Sequence, residues 1–325
     1  MKLRHCSNLF FVIIIALFIC ELSIPSLATS AFPSKPITYI INYGPGGGTD
    51  TMSRALIQAA EKELGVSIVP QNVQGGAGSK GLMTVAKAKP DGYTLGNLSM
   101  VPLALVPHTL GVPYDSINDF TFILGFGKYT SGVIVKKDAQ WQTFKDLVAY
   151  VRDNPGKVKI ADGTPGGFIC LGLKWLEMKE NISFKWIPYN GAGPSMAALL
   201  GGHVDITCNN PPGIVRYLGS DHIRMLASMS EDRHSDMNAP TFKEMGWNFA
   251  QTSWAGVGAP KGLPEDVRQK LHDAFKKAMQ SEGFMKIMNK MHVPIEYASG
   301  ERYKKMVGEY SKVWGNIIET TGYGK

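Results

Sequence analysis

The chain has 325 residues, a formal net charge of +7 and a hydrophobic fraction of 44%. Its 34 Lys and Arg residues form no run that would make a nucleic-acid-binding stripe. Its 4 Cys and 7 His fall in none of the C-x-x-C or H-E-x-x-H spacings that hold a metal, so neither metal nor cofactor is expected.

Lys2, Arg4 and His5 precede an apolar run from Phe10 to Cys20, and Ser26–Ala31 is rich in small residues. This three-part layout reads as a secretory signal peptide over residues 1–31. The run is too short to span a membrane, which takes about 20 apolar residues. No second long apolar stretch follows, so the mature chain is expected to be soluble in the periplasm. Cys6 and Cys20 leave with the signal. An oxidising compartment would then allow a single pairing, Cys170 with Cys208, which the sequence leaves open.

Strands and helices alternate from there. Ile37–Tyr43 reads as a buried strand, and Gly44–Gly48 as a turn. Thr49 or Asp50 is placed to cap a helix that ends at Leu64, with Gly65 as its C-terminal stop. Ser67–Gln71 is a second strand, Gly75–Gly78 a second turn, Lys80–Ala88 a second helix and Tyr93–Asn97 a third strand. The pattern restarts with a strand at Ser131–Lys136 and a helix at Thr143–Asn154. Strands at Lys157–Ala161, Phe184–Pro188 and Val204–Cys208 alternate with helices at Cys170–Lys179 and Pro194–Leu200. Leu263–Asp266 opens a last helical section, with one helix to about Gln280 and shorter ones near Gly283–Lys290 and Arg302–Thr320.

This order predicts two α/β domains with parallel pairing and right-handed crossovers. No Gly- or Ser-rich tether separates them, so the chain is expected to cross more than once, near Tyr129–Gly132 and Gln251–Gly256. Residues 32–130 with 254–325 form one expected domain and 131–253 the other.

Gly-rich turns end three of the strands: Gly44–Asp50, Gly75–Gly78 and Gly163–Gly167. In an open parallel sheet, ligands bind just beyond those strand ends. A helix start there offers unpaired N–H groups and about half a positive charge, and glycine lets an anion approach them. Nucleotide sites are not supported. Gly44-x-Gly46 continues to Thr49 where a dinucleotide fingerprint needs glycine, and no acidic residue follows the second strand. Gly78-Ser79-Lys80-Gly81 lacks a P-loop core. No serine sits in a G-x-S-x-G elbow, so catalysis has thin support.

The motifs then converge on one resemblance. Pro36–Asp50 resembles the opening strand and loop of the Bug family, extracytoplasmic solute receptors of tripartite tricarboxylate transporters. Gln71–Gly78 is similar to that family's "ENRPGAGG" segment, Pro90–Leu95 to "PDGYTL", and Pro113–Asp115 with Asp119 and Phe120 to "PYDPxxDF". Asn154–Lys157, Pro188–Gly191, Leu200–Asp205 and Gly258–Pro264 are similar to "NPGK", "PYKG", "LGGxVD" and "APAGTP". The resemblance implies a type II periplasmic-binding-protein fold with a ligand cleft between two α/β domains. It also implies a small carboxylate as ligand, membrane transporter subunits as partners, and a monomer.

Carried over by position, it makes Tyr43, Gly46, Gly47, Gly48, Thr49 and Asp50 the first binding loop. Asp162, Thr164, Gly166, Gly167 and Phe168 fall in the second. Asn97, Ser99, Tyr189 and Asn209 are implied as further lining. Several positions depart from the pattern. Gly167 replaces a hydroxylated residue, Cys170 a histidine and Asn209 an aspartate, while Phe168 adds bulk and Asp162 a negative charge. The backbone grip is expected to persist with altered side-chain selectivity. A sensor for a membrane kinase and an enzyme on a similar fold are the alternative readings.

Overall fold

Ile37–Ile41 is a run of β-branched and aromatic residues with no polar face to turn outward, and both of its faces are buried. It forms β1, flanked in parallel by β2 (Ile68–Asn72) and β3 (Thr94–Asn97), with α1 (Gly48–Leu64) and α2 (Ser79–Ala86) as crossovers. The computed structural model describes residues 32–163, 167–189, 191–233 and 239–323. The expected signal segment lies outside the described residues. Lys35–Lys325 is one compact unit, and it carries both sheets.

The first sheet has six strands in the order β11-β4-β10-β3-β1-β2. A π-helical turn (Val101–Leu105) and the short α3 (Val106–Thr109) follow β3. Next comes β4 (Phe120–Thr130), whose antiparallel partner β10 (Thr252–Pro260) inserts between β3 and β4. β11 (Ala298–Ser299) adds a short edge.

The second sheet has five strands in the order β7-β6-β8-β5-β9. β5 (Gly132–Lys136) lies antiparallel to β8 (Ile206–Asn209) and β9 (Ile223–Ser228). β6 (Lys159–Asp162) pairs in parallel with β7 (Lys185–Pro188) and with β8. Between them run α4 (Phe144–Asp153), α5 (Leu171–Glu180), α6 (Ala192–Leu200) and the single turn α7 (Pro211–Ile214). α4 begins with a complete capping box between Thr143 and Asp146. The chain ends with α8 (Glu265–Ala278), α9 (Glu282–Lys290) and α10 (Gly300–Thr321).

The chain passes from the first sheet to the second at Ser131 and returns at Gln251, and the two passages are bonded to each other. Met229 N–H donates to Ser131 O at 2.9 Å, Gln251 N–H to Met229 O at 2.6 Å, and Gln251 Nε2 to Ser131 Oγ at 3.2 Å. Ser131 and Gln251 are fully buried, so each of these bonds replaces water that cannot reach them.

Several elements differ from expectation for visible reasons. Among the described residues α10 is the longest helix, with 22 residues, because Tyr303, Val307, Trp314 and Ile318 recur on one buried face. Its Gly315 is no breaker: a Cβ there would stand 2.5 Å from the His108 ring. β4 and β10 are long strands although Gly125, Gly127, Gly256 and Gly258 punctuate them like turns. At Gly256 an added Cβ would stand 2.2 Å from the Tyr303 ring, so the glycine is there for close approach. Neither Thr49 nor Asp50 caps α1. Its N-cap is Gly47, and no side chain caps it. Among the described residues no helix is long and apolar enough to cross a membrane.

Candidate functional site

The loop after β1 is shaped by one carboxylate. Gly46 takes φ = +77°, a conformation that favours glycine, and its N–H donates to Asp50 Oδ2 at 2.9 Å. Asp50 Oδ1 accepts from Arg54 Nε at 2.9 Å and from Asn72 Nδ2 at 2.8 Å, and Asn72 Nδ2 also donates to Tyr43 O at 2.8 Å. Burial works to raise the Asp50 carboxyl. The bonds from Asn72, Gly46 and Arg54 outweigh it and hold the group below the usual carboxylate range. Asp50 is thus a buckle that folds the loop over the start of α1. Thr51 N–H reaches Gly47 O at 2.9 Å, which leaves the N–H groups of Gly48, Thr49 and Asp50 ahead of the helical ladder.

Across from this loop, the segment after β6 leads into α5. Asp162 is buried and accepts from Tyr323 Oη at 2.8 Å, while its carbonyl takes the Tyr189 N–H at 2.8 Å. Gly163 O accepts the Gly191 N–H at 2.6 Å, which draws the start of α6 against the same loop. Phe168 is buried with its ring 5.1 Å from Trp314, and its carbonyl accepts from Gln251 Nε2. Thr164 and Gly166 lie outside the described residues.

A cavity of about 330 Å³ separates these loops. Tyr43, Thr49, Ala77 and Val101 line it from the first sheet. Gly163, Gly167, Phe168 and Ile169 line it from the loop after β6, and Ala192, Cys208, Asn209 and Asn210 complete the wall. Gly48 also faces the second sheet: a Cβ there would stand 3.5 Å from Pro212, ordinary contact distance. A larger hollow of about 720 Å³ near Thr143 and Arg224 receives no loop from the first sheet.

Of the residues expected at the site, Tyr43, Thr49, Gly167, Phe168 and Asn209 line the cavity, and Gly46–Gly48 form the rim loop beside Thr49. Asn97, Ser99, Asp162 and Tyr189 do not line it. Ser99 is buried and donates to Asn42 Oδ1 at 3.2 Å, so it braces the strand end behind the loop. Asn97 is buried in β3 opposite Val257. Residues not expected there are Ala77, Val101, Ile169, Ala192, Cys208 and Asn210. Ala77 belongs to a glycine turn visible in the sequence, whereas Val101 and Ile169 carry no local signal.

Three helices of at least two turns begin at this cavity: α1 at Gly48, α5 just after Ile169 and α6 at Ala192. None has a side-chain cap. Their starts carry about half a positive charge each, and none of the described lining residues is an Asp or Glu that would repel an anion. Among the described residues no group of three His, Cys, Asp or Glu side chains is placed to hold a metal.

Two α/β sheets joined by paired crossings, with glycine loops and helix starts facing one another over a small cavity, define the architecture of a solute-binding receptor. Residues 52–323 match the Tripartite tricarboxylate transporter family receptor, and the chain belongs to that family. It is 35% identical over 297 residues to the UPF0065 protein of the gbd 5' region of Cupriavidus necator, covering 90% of each chain. To BugT of Bordetella pertussis it is 28% identical, covering 95% of this chain and 96% of the other. Among solved structures it is similar to a TctC solute-binding protein from Polaromonas, with a TM-score of 0.79, 26% identity, and coverage of 89% of this chain and 99% of that one. The periplasmic binding protein BugD superposes with a TM-score of 0.75 at 26% identity, covering 90% of this chain and 99% of BugD.

Proposed function

We propose that the chain is an exported, monomeric receptor that captures a small carboxylate between two lobes and presents it to membrane transporter subunits without altering it. The lobes are residues 32–130 with 254–325, and 131–253. The signal peptide is residues 1–31. Family membership supports the receptor role. The single observation that carries the ligand class is the convergence of three uncapped helix starts on an uncharged cavity.

The backbone N–H groups of Gly48 and Thr49 take one face of the carboxylate, and the loop at Gly167–Ile169 closes over the other. Water leaves on closure, and the hydrogen bonds to the anion strengthen in the lower dielectric. The bonded passages at Ser131 and Gln251 are the hinge, and the ligand shifts the open–closed balance by its differential affinity. The test is a thermal-shift screen of carboxylates on the full mature chain, followed by mass spectrometry of the recovered ligand. Stabilisation by a carboxylate that is returned chemically unchanged is the expected result. A ligand converted on incubation, or stabilisation only by cations or neutral sugars, defeats the proposal.

A further inference from the structure

The walls of the cavity divide by chemistry. The residues that line it include Tyr43, Val101, Phe168, Ile169 and Cys208. Two of its polar members are already engaged within the fold. Asn209 Nδ2 donates to Ser195 Oγ at 3.3 Å, and Asn210 Oδ1 accepts the Gly213 N–H at 3.1 Å. No residue lining the cavity is formally charged, and neither are Thr164, Pro165, Gly166 and Asn190 beside it in the sequence.

The balance of charge is equally restrictive. Three helix starts at roughly half a charge each come to about 1.5 charges, and at one of them the Leu171 N–H already donates to Phe168 O at 3.2 Å, so together they suit one carboxylate better than two. The buried Asp162, immediately before the lining residue Gly163, adds a negative charge on the same side and counts against a second one. A second carboxylate would enter a cavity with no cation to meet it, and burying an unpaired charge is strongly unfavourable. Phe168 is among the lining residues and its ring packs 5.1 Å from Trp314, so this part of the wall is already ordered before a ligand arrives.

We infer that the ligand is a monocarboxylate with an apolar body, aromatic or branched, rather than a polar di- or tricarboxylate. This rests on the carboxylate reading above and narrows it. The carboxylate sits at the Gly48–Thr49 end, and the body lies between Val101, Phe168 and Ile169.

The experiment is isothermal titration of the full mature chain with benzoate and phenylacetate, and with succinate and citrate. One aryl monocarboxylate is expected to bind at least about tenfold tighter than either polycarboxylate. The Ile169→Thr variant, at a half-buried position that tolerates a hydroxyl, is expected to lose about tenfold for the aryl probes and clearly less than that for succinate. Succinate or citrate binding as tightly as the aryl acids overturns the inference while the carboxylate reading stands. Equal losses for both classes in Ile169→Thr, or no loss for either, also overturn it. Binding of none of the four probes, with no carboxylate stabilising the chain in the thermal-shift screen, removes the carboxylate reading and this inference together.

Discussion

The phenol of Tyr323, just past the end of α10, donates a 2.8 Å hydrogen bond to Oδ2 of Asp162 at the end of β6. One residue comes from the last turn of the chain and the other from the strand that leads into the second loop of the cavity. The Tyr323 ring lies 5.8 Å from Trp186, with Lys174 Nζ 5.8 Å above it. The C-terminal segment is therefore fastened to the second sheet immediately behind the site. Tyr323→Phe removes a donor from a buried carboxylate and is expected to destabilise the fold by about 1–3 kcal/mol. A urea midpoint equal to that of the parent protein would show that the bond contributes nothing.

Four phenols among the described residues share an environment that favours their neutral form. Burial pushes Tyr39, Tyr114 and Tyr310 up, and burial, then the neighbouring Cys170 and Asp162, push Tyr323 well above its ordinary value. Unfolded tyrosine titrates near pH 10, so in strong alkali the unfolded chain releases protons that the fold retains. The contribution of these groups is fully present below about pH 10 and is lost as the pH rises beyond it. Urea midpoints should hold steady to about pH 9 and fall steeply by about pH 11, with a shallower fall in Tyr323→Phe. A flat profile in the parent protein would contradict this.

How far the site was legible follows from where its geometry originates. The loop Gly44–Asp50 could be read because its shape is set within a few residues: a strand, glycines and a helix start. Even so, the role of Asp50 could not be. A cap and an inward buckle are written with the same residue, and only the placement of Asn72 and Arg54 decides between them. Val101 and Ile169 reach the cavity through the packing of one sheet against the other, which no local pattern encodes. Phe168 shows both limits, since its bulk is plain in the sequence but its contact with Trp314 joins residues far apart in the chain. The strands β4 and β10 were hidden by their glycines, whose reason lies in residues distant in sequence: Trp254 and Met288 against Gly125 and Gly127, and Tyr303 and Leu98 against Gly256 and Gly258.

Asp50→Asn tests the buckle. The amide keeps the shape but loses the charge that Arg54, Asn72 and the Gly46 N–H share, and hydrogen bonds to charged groups contribute about 1.5–3 kcal/mol. Because the native carboxyl is held below the usual range, its contribution is present above about pH 4 and lost as the pH falls through the folded value. The variant should be less stable than the parent at neutral pH, and the gap should narrow in acid. It should also bind its carboxylate more weakly, since the loop's N–H groups are no longer held in register. A stability difference that does not change with pH would place the effect elsewhere.

Cys170 and Cys208 are both buried and free. The contact with Cys208, and then burial, raise the Cys170 thiol well above its ordinary value, so little thiolate forms near neutrality. The native protein should resist iodoacetamide at about pH 8 and react at both positions once unfolded in urea. Cys208 lines the cavity, so a bound ligand should slow its residual labelling further. Rapid native labelling of Cys170 would contradict its burial.

Gly47→Val separates binding from folding. Gly47 has φ = −77° and ψ = 170°, which valine adopts without strain, and a Cβ there meets only Gly44 O at 3.5 Å. The fold should therefore keep its melting temperature to within a few degrees. The added methyls stand beside the N–H groups of Gly48 and Thr49, the proposed place of the ligand's carboxylate, so on that proposal affinity should fall by about tenfold or more. Gly256→Ala is the matching control, since its Cβ would strike the Tyr303 ring and overpacking of this kind costs about 1–3 kcal/mol. Titration calorimetry and thermal melts on both variants should give opposite patterns: weakened binding with an intact melt for Gly47→Val, and a lowered melt for Gly256→Ala. Undiminished affinity in Gly47→Val would remove the first loop from the site, whatever the second loop does.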